Sequence, residues 1–180
     1  MTLRTPSQTI GPFFHVGLKW EGGNKIAFAV PGERIVLTGC VFDGAGNPIA
    51  DALIETWQAG PDGNVPGLGT EPKPSGCSRA ATDGEGRYTI DTLMPGSCTA
   101  AGGEKFPPQI HVTIFARGLL KALRTRVFLA DAESVKNDPL ARAAGSRAAT
   151  LIAAKDAKER GTWRWDIRLQ GKDETAFIEP

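Results

Sequence analysis

Along the chain, the clearest alternation of apolar and polar positions runs from Trp163 to Leu169. Trp163, Trp165, Ile167 and Leu169 fall on one face and Arg164, Asp166 and Arg168 on the other, which predicts a half-buried strand. Arg34 to Phe42 is rich in β-branched and apolar residues and reads as another strand, closed by the turn residues of Asp43 to Pro48. Ala52 to Gln58 is a third, broken at Pro61-Asp-Gly63 by a Gly/Pro-rich loop that runs to about Gly76. A tight turn at Asp83 to Gly86 leads into a strand from Arg87 to Leu93, which Met94-Pro-Gly96 ends. Gln109 to Ala116 has the pattern of a central strand with one face in the core, and Arg124 to Leu129 is another. Helical signal is confined to the Ala-rich, charged stretch from Asp131 to Arg147, interrupted at Asp138-Pro139. Short strands separated by turn clusters predict an all-β fold, an antiparallel β-sandwich with long loops. Neither an internal repeat nor a linker interrupts it, so residues 1–180 read as one domain. Residues 34–180 form the sandwich, and residues 1–33, without strong periodicity, form an irregular N-terminal arm lying on another surface.

Composition narrows the function. The 180 residues carry 21 Lys+Arg against 20 Asp+Glu, so the basic excess expected of a nucleic-acid binder is missing. No apolar run approaches the ~20 residues of a membrane span, and the N-terminal stretch has no apolar core of a secretory signal. Cys40, Cys77 and Cys98 are an odd, widely spaced set that reads as free thiols in the cytoplasm rather than as a disulfide framework or metal site. Donors for a metal are scarce: two histidines, His15 and His111, and one tyrosine, Tyr88.

Three stretches together carry a resemblance. They are Thr5-Pro-Ser-Gln-Thr-Ile-Gly-Pro-Phe-Phe14, Ile54-Glu-Thr-Trp-Gln-Ala59 with its Gly-rich turn, and Pro107-Pro-Gln-Ile-His111 followed by Phe115-Ala-Arg-Gly118. In order and spacing the chain resembles the intradiol ring-cleavage dioxygenases over nearly its whole length, and within them the chain type that lacks the iron. The resemblance implies a hetero-oligomer in which an iron-bearing beta chain is the partner. It also implies the reaction: insertion of both atoms of O2 into protocatechuate (3,4-dihydroxybenzoate) to give 3-carboxy-cis,cis-muconate in aromatic catabolism.

In the family's catalytic chains two tyrosinates and two histidines hold Fe(III), a donor set suited to a hard trivalent ion. The resemblance puts the first tyrosine's place at about Val65 and the second at Cys98, two residues past Pro95-Gly96. The His-x-His pair, projecting from one strand face, falls on Gln109 and His111. One ligand of four remains, and a chain with a single tyrosine cannot supply two tyrosinates. The resemblance therefore implies that Fe(III) sits on the partner, with no metal and no complete catalytic site here.

For this chain type the resemblance implies a substrate pocket shared with the partner, to which Gly11, Pro12 and Arg117 contribute. Gly permits close backbone approach and Pro fixes φ, making a small rigid wall beside a flat ring. Arg117, expected to end the strand begun at Gln109, offers a guanidinium fork for a carboxylate. Each has a plainer reading: an ordinary turn for Gly11-Pro12, a surface ion pair for Arg117. His111 reads as a hydrogen-bonded core residue, His15 as a residue near the pocket edge, Cys98 as packing, and the charges of 131–147 as a solvated face. The competing function is a non-enzymatic β-sandwich that binds or only builds structure.

Overall fold

The computed structural model describes residue 11 and residues 13–26, 31–65, 76–99 and 102–178, with His15 described in its backbone only. Nine-residue β1 (Arg34–Phe42) anchors the first sheet. It pairs antiparallel with β4 (Arg87–Leu93) on one edge, through Arg34 opposite Leu93 to Cys40 opposite Arg87. On its other edge it pairs with β10 (Thr162–Arg164) and β11 (Ile167–Arg168), both parallel to it. Short β9 (Ala154–Lys155) extends the sheet beyond β10. The second sheet runs β3 (Cys77–Ala81), β2 (Leu53–Gln58), β7 (Gln109–Phe115), β8 (Leu123–Phe128), antiparallel throughout. A small ribbon joins β5 (Cys98–Thr99) to β6 (Lys105–Phe106). The fold is thus mostly strand, in open sheets.

Two expectations are corrected here. The first sheet is mixed rather than antiparallel, because the chain returns to β1 from the far end with the same sense. The strand expected from Trp163 to Leu169 is two short strands, although its side chains keep their alternation from buried Trp163 to buried Ile167. The break has a packing cause. Gly39 lies so close to Trp165 that an added Cβ would sit 1.8 Å from the Trp165 carbonyl oxygen. The Tyr88 hydroxyl donates to that same oxygen at 2.6 Å, and the Asp166 carboxylate accepts the Cys40 N–H at 2.9 Å. The Trp165 N–H still donates to the Thr38 carbonyl at 2.8 Å, but its own carbonyl is taken by the Tyr88 side chain and the Cys40 N–H by the Asp166 side chain, so side chains replace ladder bonds at the break.

The inward residues of both sheets meet in one core. Ile35, Leu37 and Val41 of β1 and Tyr88 and Ile90 of β4 pack with Ile54 of β2 and Ile110, Val112 and Ile114 of β7. Removing that apolar area from water is the main force holding the layers together. The outward face of the second sheet is covered in two places. On the β8 side, α2 (Ala132–Val135), α3 (Pro139–Ala144) and a 3₁₀ turn (Gly145–Leu151) bring Val135, Ala141 and Leu151 onto Phe128. The expected interruption is present: Asp138 caps α3 through the Leu140 N–H at 2.8 Å, and Pro139 occupies its first turn. On the β3 side, the described part of the arm lies over this chain's own sheet. After α1 (Phe14–Gly17), Trp20 sits under the Arg79 guanidinium at 5.1 Å, and the Arg79 N–H donates to the Gly23 carbonyl at 2.7 Å. The Ile26 N–H donates to Asp91 O at 2.9 Å, so this segment spans the edges of β3 and β4. No helix among the described residues is long and apolar enough to cross a membrane.

Candidate functional site

Every second residue of β7 projects outward: Gln109, His111, Thr113 and Phe115, while Ile110, Val112 and Ile114 enter the core. This corrects the reading of His111 as a core residue; its side chain is on the exposed face. The strand stops at Phe115, two residues short of Arg117, but the antiparallel register continues to place residues. Leu53 is opposite Phe115, which carries Asp51 to a position facing Arg117. The two form an ion pair, with Arg117 Nε donating to Asp51 Oδ2 at 2.5 Å and Nη2 reaching the same oxygen. Arg117 is 69% exposed in this pair. Its Nη1 is free of the carboxylate, leaving part of the fork open to a second anion.

The arm reaches the same end of the sheet. The Phe14 ring stacks on Phe115 with centroids 6.4 Å apart and planes 26° from parallel, within the range of favourable aromatic pairs. Gly11 stands three residues before Phe14 and is exposed, with nothing within 4 Å of a Cβ placed on it. The ring stack and the strand register bring Phe14 and Arg117 to one end of the sheet, and Gly11 precedes Phe14 by three residues. Pro12 and the side chain of His15 lie outside the described residues. Phe13 and Val16 flank Phe14 in sequence and Leu120 follows Arg117 by three residues, and they are 78%, 67% and 70% exposed. A concavity of about 510 Å³ lies elsewhere, lined among others by Trp20, Arg79, Asp83 and Arg87, and holds neither Gly11 nor Arg117.

Two of the places that the resemblance implies for iron ligands, at about Val65 and at Cys98, lie on segments that pack together. The loop after β2 packs on the segment leading into β5: a Cβ on Gly63 would lie 2.3 Å from the Ser97 carbonyl oxygen, and the Gly96 N–H donates to Gly60 O at 3.0 Å. Val65 follows two residues after Gly63 and is 60% exposed. Cys98 is paired with Phe106, three residues before Gln109.

The donors there do not fit a ferric ion. Cys98 is a half-buried thiol pushed above its ordinary pKa by burial, not a thiolate. The Gln109 amide is neutral, and its Oε1 accepts from Arg126 Nη1 at 2.8 Å. Arg126 stands directly across from His111 on β8, a fixed positive charge where a trivalent cation would need anions. Crowding by its flanks pushes the His111 pKa below the ordinary imidazole value, first through lost hydration and then through Arg126, with Asp138 opposing. Tyr88, the only tyrosine, is in the core between the sheets, its phenol held far above its ordinary pKa by burial and its hydroxyl committed to Trp165. Among the described residues no group of three His, Cys, Asp or Glu is placed to hold a metal.

Sequence reasoning missed two partners. Asp51 gave no signal beyond lying after a turn, and only the β2–β7 register reveals it. Asp138 was expected on a solvated face, but its side chain is fully buried, bound to Arg126 through Nη1 at 3.1 Å and Nη2 at 2.9 Å. The interruption at Asp138-Pro139 was visible; the ion pair of Asp138 across to β8 was not.

Comparison with known proteins places the chain. A family model described as Dioxygenase matches residues 23–171. The chain is similar to the protocatechuate 3,4-dioxygenase alpha chain of Burkholderia cepacia, 36% identical over 98% of this chain and 97% of that protein. The beta chain of the same organism's enzyme is 29% identical over 94% of this chain and 77% of its own length. Among solved structures, catechol 1,2-dioxygenase from Pseudomonas arvilla C-1 superposes with a TM-score of 0.64 at 24% identity, over 87% of this chain and 59% of that one, a likeness of fold.

Proposed function

The chain belongs to the intradiol ring-cleavage dioxygenase family, and from that premise we propose that it is the alpha subunit of a protocatechuate 3,4-dioxygenase, working in the cytoplasm with an iron-bearing beta subunit. The complex takes protocatechuate and O2 to 3-carboxy-cis,cis-muconate, with both oxygen atoms entering the product. The observation that supports this reading is the place of Arg117, largely exposed and paired with Asp51 just past β7, at the end of the sheet where Phe14 of the arm stacks on Phe115. A rim that pairs a carboxylate-binding fork with an apolar surface suits a pocket closed by a second chain.

In this account Fe(III) is held by the partner, and this chain does three things. Arg117 receives the substrate's carboxylate on the part of its guanidinium that Asp51 leaves open, and so orients the ring. The Gly11-Pro12 turn forms a wall against the ring face. The apolar residues around them cover the pocket against water when the partner docks, which strengthens the charge pairing inside.

Reconstitution tests the reading. The chain and a beta partner purified separately are expected to be inactive or feebly active, and to consume O2 and yield the tricarboxylate product when mixed. Full turnover of protocatechuate by either chain alone, or no gain on mixing a pair that co-elutes, would contradict it.

A further inference from the structure

We propose that the guanidinium of Arg126 is a built-in organic cation that takes the place of a metal ion on the outer face of β7, so that this face is closed to metals by occupation and not only by loss of ligands. The inference rests on the reading that iron belongs to the partner, and it adds the reason why this chain does not compete for it.

Three oxygens converge on the one guanidinium. Gln109 Oε1 accepts from Nη1 at 2.8 Å, Asp138 Oδ2 accepts from Nη1 at 3.1 Å, and Asp138 Oδ1 accepts from Nη2 at 2.9 Å. The arrangement is built rather than incidental. The Asp138 side chain has no exposed surface and that of Arg126 only 13%. Asp138 is fixed by capping α3 through the Leu140 and Ala141 N–H groups, and Arg126 by its place opposite His111 in the β7–β8 ladder and over the Phe128 ring at 5.5 Å. A carboxylate, an amide oxygen and a neighbouring imidazole are the kinds of group that coordinate divalent and trivalent ions. Here the first two are spent on a nitrogen cation of fixed charge, since a guanidinium does not lose its proton in proteins. An incoming metal would have to displace a buried, bidentate ion pair and then sit beside its charge.

A purely structural ion pair would secure α3 against β8 and have no bearing on metals. The two roles separate in metal titrations of the full chain with Co(II) and Ni(II), read by calorimetry and by the Co(II) absorption spectrum. Gln109→His restores two same-face imidazole positions on β7 while leaving Arg126 in place. It is expected to bind weakly. Gln109→His with Arg126→Met is expected to bind at least ~10-fold tighter, the equivalent of a ~1.4 kcal/mol change. Because that pair of changes leaves Asp138 buried without a counter-charge, a third variant adds Asp138→Asn, which removes both charges together and keeps an N-cap residue. It is expected to keep the gain that comes from removing the cation. Equal affinity of Gln109→His with and without Arg126 would overturn the inference while leaving the subunit assignment intact. Stoichiometric ferric binding by the unaltered chain would instead overturn the assignment itself.

Discussion

Arg117→Ala separates a pocket residue from a surface one. In the isolated chain Arg117 is 69% exposed, and its pair with Asp51 is of the solvent-screened kind that contributes about 0–1 kcal/mol. Truncation should therefore leave the chain's urea midpoint within about 1 kcal/mol of the parent. On the proposed function the same guanidinium is covered in the complex and faces the substrate carboxylate. Losing a charge-assisted hydrogen bond there costs about 2–3 kcal/mol, so kcat/KM for protocatechuate should fall by ~30- to ~150-fold. The assay is O2 uptake by the reconstituted complex, with iron content measured on the same samples. Catechol, which lacks the carboxylate, is the control substrate, and its small turnover should barely change. Arg117→Lys should recover only part of the loss, because an ammonium keeps the charge without the planar fork. Normal iron with kcat/KM for protocatechuate within about threefold of the parent would remove Arg117 from the pocket.

Other perturbations test the surrounding structure. Asp138→Asn strands a largely buried guanidinium and should cost about 3–5 kcal/mol in urea unfolding, and Asp138→Ala about 1 kcal/mol more through the lost N-cap; a cost below about 1 kcal/mol for both would mean the pair is not buried in solution. Gly39→Ala drives a methyl to 1.8 Å from the Trp165 carbonyl that also accepts the Tyr88 hydroxyl, and should destabilise by about 2–4 kcal/mol, against near-neutrality if that contact is absent. The hydrogen bond from Arg164 and the N–H groups of Lys158 and Glu159 hold the Asp156 pKa down to about 2, from 3.8. A depressed carboxylate pKa adds stability that is whole above the unfolded value and is lost as pH falls from about 4 through 2. Arg164→Ala should therefore make the acid limb of a stability–pH curve shallower over that window, and an unchanged limb would contradict the assignment.

What could be read from the residues alone follows from where the signal is local. The strands at 34–42, 87–93 and 109–115 were legible because their alternation and flanking turns are local, and the helix break at Asp138-Pro139 because Pro interrupts a helix. β3 escaped notice: Cys77 to Ala81 is short, small-residued and pinned by pairing with β2 rather than by propensity. The parallel sense of β10 and β11 against β1 depends on the path of about 120 residues of intervening chain, which no local pattern encodes. Arg117 and Gly11 were named from motif resemblance alone, whereas the pairing of Arg117 with Asp51 and the approach of Phe14 to Phe115 depend on long-range register and packing. His111 was assigned the wrong face because a strand's period of two fixes which residues share a side but not which side is buried.

The central claim is that reactivity reaches this chain only through a companion that holds the iron. The most direct test is metal content and colour of the chain expressed and purified alone in iron-replete medium, beside the same chain purified in complex with its beta partner. The account predicts a colourless chain with little bound iron and no high-spin ferric resonance, and a complex coloured by tyrosinate-to-iron charge transfer with about one iron per pair of chains. One ferric ion per isolated chain, with that colour and with ring-cleaving turnover, would contradict it.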